Sequence, residues 1–133
     1  MVYSLKKIQL LTKALKGDKK VFSMLMKESP EYAALGAALI GNAAAMNWLL
    51  KHNKTLAIFA DAVEGNKTAV QILLKEKQFE LAAVANMLNE DAEAELWLEQ
   101  HNLKDYIDFA VAIQFALHKE IEYDLGGYFT LYG

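Results

Sequence analysis

The sequence contains no cysteine, which excludes disulfides, thiolate metal ligands and cysteine nucleophiles. It contains no arginine either, since all fourteen basic residues are lysines. Recognition of phosphates and base edges leans on the bidentate guanidinium fork, so no nucleic-acid partner is expected. Proline occurs once, at Pro30, leaving few forced breaks in a helix. Long apolar runs are missing as well. None approaches the roughly 20 residues needed to span a bilayer, and Lys6, Lys7, Lys13 and Lys16 interrupt every apolar stretch near the N-terminus where a secretory signal would need one. These absences predict a protein of the reducing cytoplasm with no membrane insertion. The sequons at Asn53-Lys54-Thr55 and Asn66-Lys67-Thr68 then read as chance matches.

Catalytic signatures are also absent. There is no Gly-x-Gly-x-x-Gly or Walker loop, no Gly-x-Ser-x-Gly elbow and no plausible Ser-His-Asp order. No cofactor and no enzymatic activity are expected.

What is present is an apolar, unevenly charged chain. Hydrophobic residues make up 54% of its 133 residues, enough for one domain with a real core. The net charge is −3, but residues 1–30 carry seven lysines against Asp18 and Glu28, while residues 78–133 carry eleven acids against Lys104 and Lys119. Opposite charge at the two ends steers a partner, or a second copy, in a salt-dependent way.

A repeat organises the chain. A Gly-Asx pair recurs at Gly17-Asp18, Gly41-Asn42 and Gly65-Asn66, 24 residues apart, with a degenerate Glu90-Asp91 following after 25. The segments after each pair align as "DKKVFSMLMKES", "NAAAMNWLLKHN", "NKTAVQILLKEK" and "DAEAELWLEQHN". They bring Val21, Ala45, Ala69 and Ala94 into one column. Met24, Trp48, Ile72 and Trp97 share another, and Leu25, Leu49, Leu73 and Leu98 a third. That i, i+3, i+4 spacing is one face of a helix.

The segments before each pair align as "IQLLTKALKG", "YAALGAALIG", "LAIFADAVEG" and "LAAVANMLNE", with "YIDFAVAIQF" as a fifth. Their first, fourth and eighth positions are large and apolar. The fifth is small (Thr12, Gly36, Ala60, Ala85, Ala110), which lets neighbouring helices approach closely.

Each glycine closes one helix in the left-handed conformation, and the following Asp or Asn caps the next. At the fourth junction Asn89 is expected to carry the turn in place of glycine. The pattern predicts nine helices at about 4–16, 18–28, 31–40, 42–52, 55–64, 66–76, 79–89, 91–101 and 104–120. Helices this short must stack to be stable. The expected fold is therefore an all-α solenoid of antiparallel helix pairs in a single domain over residues 1–133, with repeat junctions at 17–18, 41–42, 65–66 and 90–91.

At "FADAVEGNKTAVQILLKEKQ" and "AALIGNAAAMNWLLKHN" the chain resembles the helical part of ankyrin repeats over about residues 31–103. Ankyrin repeats are about 33 residues long. The shorter period here leaves out the β-hairpin finger, and the Thr-Pro-Leu-His start is missing too. The resemblance implies stacked helix pairs and protein binding, without the finger-based surface.

Candidate site residues follow from the columns. The sixth and ninth positions of the first helices vary in chemistry while the core columns hold. They include Lys13, Asp61, Glu64, Asn86 and Asn89, and read as a concave recognition surface for another protein or peptide. The tail over residues 121–133 contains Gly126-Gly127 followed by Tyr128, Phe129 and Tyr132. It is expected to cover the open end of the stack, or else to dock onto a partner or form a homodimer. Two other functions remain open, a concave-face pocket for a small molecule and self-assembly.

His52 and His101 each lie in Trp-Leu-x-x-His-Asn. They stand too far apart to share a metal and read as residues of a last helical turn. Trp48 and Trp97 read as core. Asp91, Glu93, Glu95 and Glu99 read as a solvated acidic face.

Overall fold

A computed structural model describes residues 4–119, and these are all-α. The helices are α1 (Leu5–Leu15), α2 (Lys19–Glu28), α3 (Pro30–Leu39), α4 (Ala43–His52), α5 (Lys54–Val63), α6 (Lys67–Lys75), α7 (Phe79–Leu88), α8 (Ala92–Gln100) and α9 (Lys104–Lys119). Each boundary falls within one residue of the sequence reading. No strand occurs among the described residues.

The Gly-Asx junctions work as local chemistry requires. Gly17, Gly41 and Gly65 have φ of +103°, +95° and +101°, a region that side chains with a Cβ rarely enter. The next residue caps the following helix. Asp18, Asn42 and Asn66 accept from the amides of Val21, Ala45 and Ala69 at 3.1, 2.9 and 3.1 Å, and Asp91 accepts from Glu93 at 3.0 Å. Each capping residue also donates its own amide backwards, to the carbonyls of Lys13, Ala37, Asp61 and Asn86. That bond completes a Schellman-type closure of the first helix.

At the fourth junction the expectation needs correction. Glu90, not Asn89, takes the left-handed conformation, at φ +69°, because it occupies the glycine column and must make the same turn. Asn89 stays at φ −98°.

The first helices of the repeat, α1, α3, α5, α7 and α9, pack side by side in order, and α9 packs in turn against α1. The stacked pairs therefore curve far enough to meet. On the outside, α2 lies over α1 and α3, α4 over α3 and α5, α6 over α5 and α7, and α8 over α7 and α9. At the seam, Gln9 of α1 donates to Asp105 of α9 at 3.2 Å. No described helix roofs the α9–α1 interval in the way the other four are roofed.

The side of the stack that a more open solenoid would present as a concave groove is filled. Phe59 of α5 and Phe109 of α9 are fully buried, with stacked rings 5.9 Å apart. Every residue of α3 from Tyr32 to Leu39 is buried. The small column does what its size suggests, since a Cβ on Gly36 would stand 3.1 Å from Leu11 Cδ1, closer than an ordinary van der Waals contact. Lysine at the rim also serves the fold, as Lys7 donates to Ser29, the buried joint between α2 and α3.

α9 departs from the other first helices. Where they end in Gly17, Gly41, Gly65 or Glu90, α9 has Phe115 and continues to Lys119. Without glycine or a capping Asx residue, nothing stops it there.

Candidate functional site

The recognition residues read from the sequence lie on α1, α5 and α7 and differ in exposure. Lys13 is exposed on α1, which packs chiefly on α2, α3 and α9. Ala37, in the same column, is buried. Asp61 is half-buried on α5, and Glu64 is exposed at its C-terminal end. Asn86 is half-buried on α7. Tyr128, Phe129 and Tyr132 lie outside the described residues.

Asn89 is exposed, and its side chain is also bonded within the fold. Its side-chain amide donates to the carbonyl of Ala85 in its own helix at 2.8 Å, and to that of Ala62 in α5 at 3.1 Å. Its Oδ1 would lie 3.5 Å from a Cβ on Gly65. Asn89 therefore ties the end of α7 to the turn after α5.

Asn86, by contrast, lines a groove of about 240 Å³ that runs over α7 between α6 and α8. Ala82 and Ala83 make its floor, and Leu74, Phe79 and Trp97 its walls. Asp91 and Glu93, at the start of α8, stand at its edge. Floor depth follows from residue size. The position of Ala83 is taken by Ile58 in α5, where the larger side chain packs against the core. Leu74 and Phe79 remain 44% and 45% exposed, and Trp97 is half-buried. Large apolar side chains here converge on one opening with acids at its edge, instead of being scattered singly over the surface.

Three of these residues escaped the sequence reading. Trp97 was expected in the core with Trp48, yet only Trp48 is buried, at 6% exposure. Leu74 sits in a column with Met26, Leu50 and Glu99, which carries no clear signal. Phe79 did carry one. Its column otherwise holds Lys6, Pro30, Lys54 and Lys104, so an aromatic there has no role in the repeat itself.

The tryptophan–histidine pairs serve their own helices. The His52 ring stacks on Trp48 with centroids 4.2 Å apart, and His101 on Trp97 at 4.3 Å. In each pair the histidine Nδ1 lies 2.8 Å from the tryptophan carbonyl oxygen, a bond that requires a proton on Nδ1. Each histidine thus caps a last-turn carbonyl. Among the described residues no three His, Asp or Glu side chains gather in a metal-binding cluster.

Tyr106 on α9 is a perturbed ionisable group. Burial pushes its phenol above the ordinary tyrosine value, and the charges of Glu80 and Asp105 push it the same way. All three favour the neutral phenol, which can donate a hydrogen bond but is a poor base.

No described helix is long and apolar enough to cross a membrane. No protein-family model matches the chain, and no curated protein or solved structure is significantly similar to it.

Proposed function

We propose that the protein is a helical-repeat interaction module that holds part of another protein in the groove between α6 and α8. The observation that carries this reading is the convergence of half-exposed Leu74, Phe79 and Trp97 on one groove over an alanine floor. A buried apolar anchor ringed by polar residues is the usual centre of a protein interface. Asn86 would contribute a hydrogen bond at the wall, and Asp91 and Glu93 the polar edge. The ankyrin-like repeat and the cytoplasmic setting of a cysteine-free chain belong to the same reading.

Size favours a protein side chain over a free small molecule. The groove's 240 Å³ falls below the roughly 300–1,000 Å³ of ordinary small-molecule pockets, and is of the order of one large side chain. Its acidic edge disfavours nucleic acid.

The test uses Phe79→Lys, because lysine already stands at the aligned positions 54 and 104 and the helix should accept it. Proteins captured from a lysate of the source cells by the wild type are compared with those captured by the variant, after both show the same unfolding midpoint. A binder held by the wild type and lost by the variant supports the groove. Equal capture by both would remove it from consideration.

A further inference from the structure

The groove has a complement elsewhere on the same molecule. On α2, Lys20, Met24 and Lys27 follow one another at i, i+4 and i+7, which places them on one stripe of the helix. The two lysines are exposed and Met24 is half-exposed. The residues with which α2 packs into the core, Phe22 and Leu25, lie on another side. Lys19 and Ser23 flank the stripe, and Glu28 ends it. The outer surface of α2 is therefore a basic ridge of lysines around a shallow depression, with the flexible thioether of Met24 in its lining.

The α6–α8 groove presents the matching features. Its apolar walls of Leu74, Phe79 and Trp97 can take a methionine side chain, which adapts to irregular apolar gaps and contacts aromatic edges favourably. Glu93 and Asp91 at its edge meet the lysines on either side. α2 cannot reach the groove of its own chain, because it is held over α1 and α3 while the groove lies over α7.

We infer that the groove takes the α2 ridge of a second copy, with Met24 as the anchor and Lys20 and Lys27 facing the acidic edge. This inference rests on reading the groove as a protein-docking site and names its occupant. The two surfaces differ, so the contact is head-to-tail. Each copy keeps a free ridge and a free groove, and the assembly extends or closes into a ring instead of stopping at a two-fold dimer. The basic face of α2 and the acidic start of α8 attract one another at low salt.

Sedimentation velocity on the full chain tests this, over a wide concentration range at low and at high salt. The wild type is expected to grow in mass with concentration, and less so at high salt. Lys20→Glu spoils the ridge and leaves the groove intact, whereas Glu93→Lys spoils the groove edge and leaves the ridge. Each variant alone should self-associate about tenfold more weakly, in the range of a close interfacial charge pair. An equimolar mixture of the two should recover association, because Lys20 of one variant meets Glu93 of the other and the two reversed charges match as well. Phe79→Lys should abolish association altogether.

A wild type that stays monomeric throughout would overturn the inference, as would variants that associate like the wild type. If a monomeric wild type still captures a different protein that Phe79→Lys loses, the docking site stands and only its assignment to a second copy fails. If neither association nor groove-dependent capture occurs, both fail.

Discussion

Gln9 donates a hydrogen bond to Asp105 across 96 positions of sequence, at the seam where α1 meets α9. The polar pair marks the seam, and α9 also packs into the apolar core behind it. Phe109, fully buried on α9, stacks on Phe59 of α5, and Ile113 and Ala116 follow it into the core. Phe109→Ala should therefore cost about 3–5 kcal/mol. Gln9→Ala, which removes one exposed hydrogen bond, should cost less than about 1 kcal/mol. Urea unfolding of the two variants checks the ordering. Equal losses would mean that the exposed hydrogen bond at the seam contributes as much as the buried aromatic behind it.

The fourth repeat junction is the strained one. Glu90 holds φ +69° where the other three junctions have glycine, and a left-handed residue with a Cβ costs about 1–2 kcal/mol. Glu90→Gly should stabilise the protein by roughly 1 kcal/mol, whereas Gly65→Ala, at φ +101°, should destabilise it by at least as much. Denaturation midpoints read both. A loss of stability in Glu90→Gly would show that the glutamate side chain contributes more than its backbone costs.

Asn89 and Asn86 lie three residues apart and should separate cleanly. Removing the Asn89 amide takes a hydrogen bond from each of the Ala62 and Ala85 carbonyls, so Asn89→Ala should lower stability by about 1–2 kcal/mol. Because it is not in the groove, it should leave any groove-dependent binding unchanged. Asn86→Lys should do the reverse. Lysine is found at the aligned position 13 and the fold should tolerate it, while the groove wall is altered. Measuring melting temperature and binding on both variants tests the division.

Tyr106 gives the protein an alkaline limit. Its phenol titrates above the ordinary value of 10.0, chiefly through burial. Above pH 10 the unfolded chain therefore gives up this proton while the folded protein keeps it. The unfolded state then binds fewer protons, so stability falls as pH rises. The contribution is complete below pH 10 and is lost progressively as pH climbs through the folded-state value. Tyr106→Phe should flatten this limb of the stability–pH curve and leave the neutral region nearly unchanged. Unfolding free energies across the alkaline range supply the measurement. An unchanged slope would place the alkaline loss on other groups.

Much of the fold could be read from the chain because its determinants are local. Helix starts follow from Asp18, Asn42, Asn66 and Asp91, each bonding to an amide two or three residues on. The glycine ends follow from backbone sterics at a single residue. Even Glu90 stood in the right column, although the turn itself was expected at Asn89. Part of the site was legible in the same way, since Phe79 breaks a column of lysines and proline and Asn86 stood among the recognition candidates.

The seam and the groove could not be read this way. Whether α9 reaches α1 depends on a small rotation between successive helix pairs, accumulated over the whole array, and no single column encodes that angle. The groove depends on three helices at once: Leu74 from α6, Phe79 and Ala83 from α7, and Trp97 from α8. Asn89 shows the same limit in reverse, because its column suggested a free recognition residue while its side-chain amide also bonds the Ala62 carbonyl of another repeat. The sequence by itself determined the helices, their caps and the column of small residues, since each is decided by interactions within about one turn of the chain. Only the tertiary structure decided how far the stack curves, which face is filled and where an opening remains, because those depend on packing between residues that the chain keeps far apart.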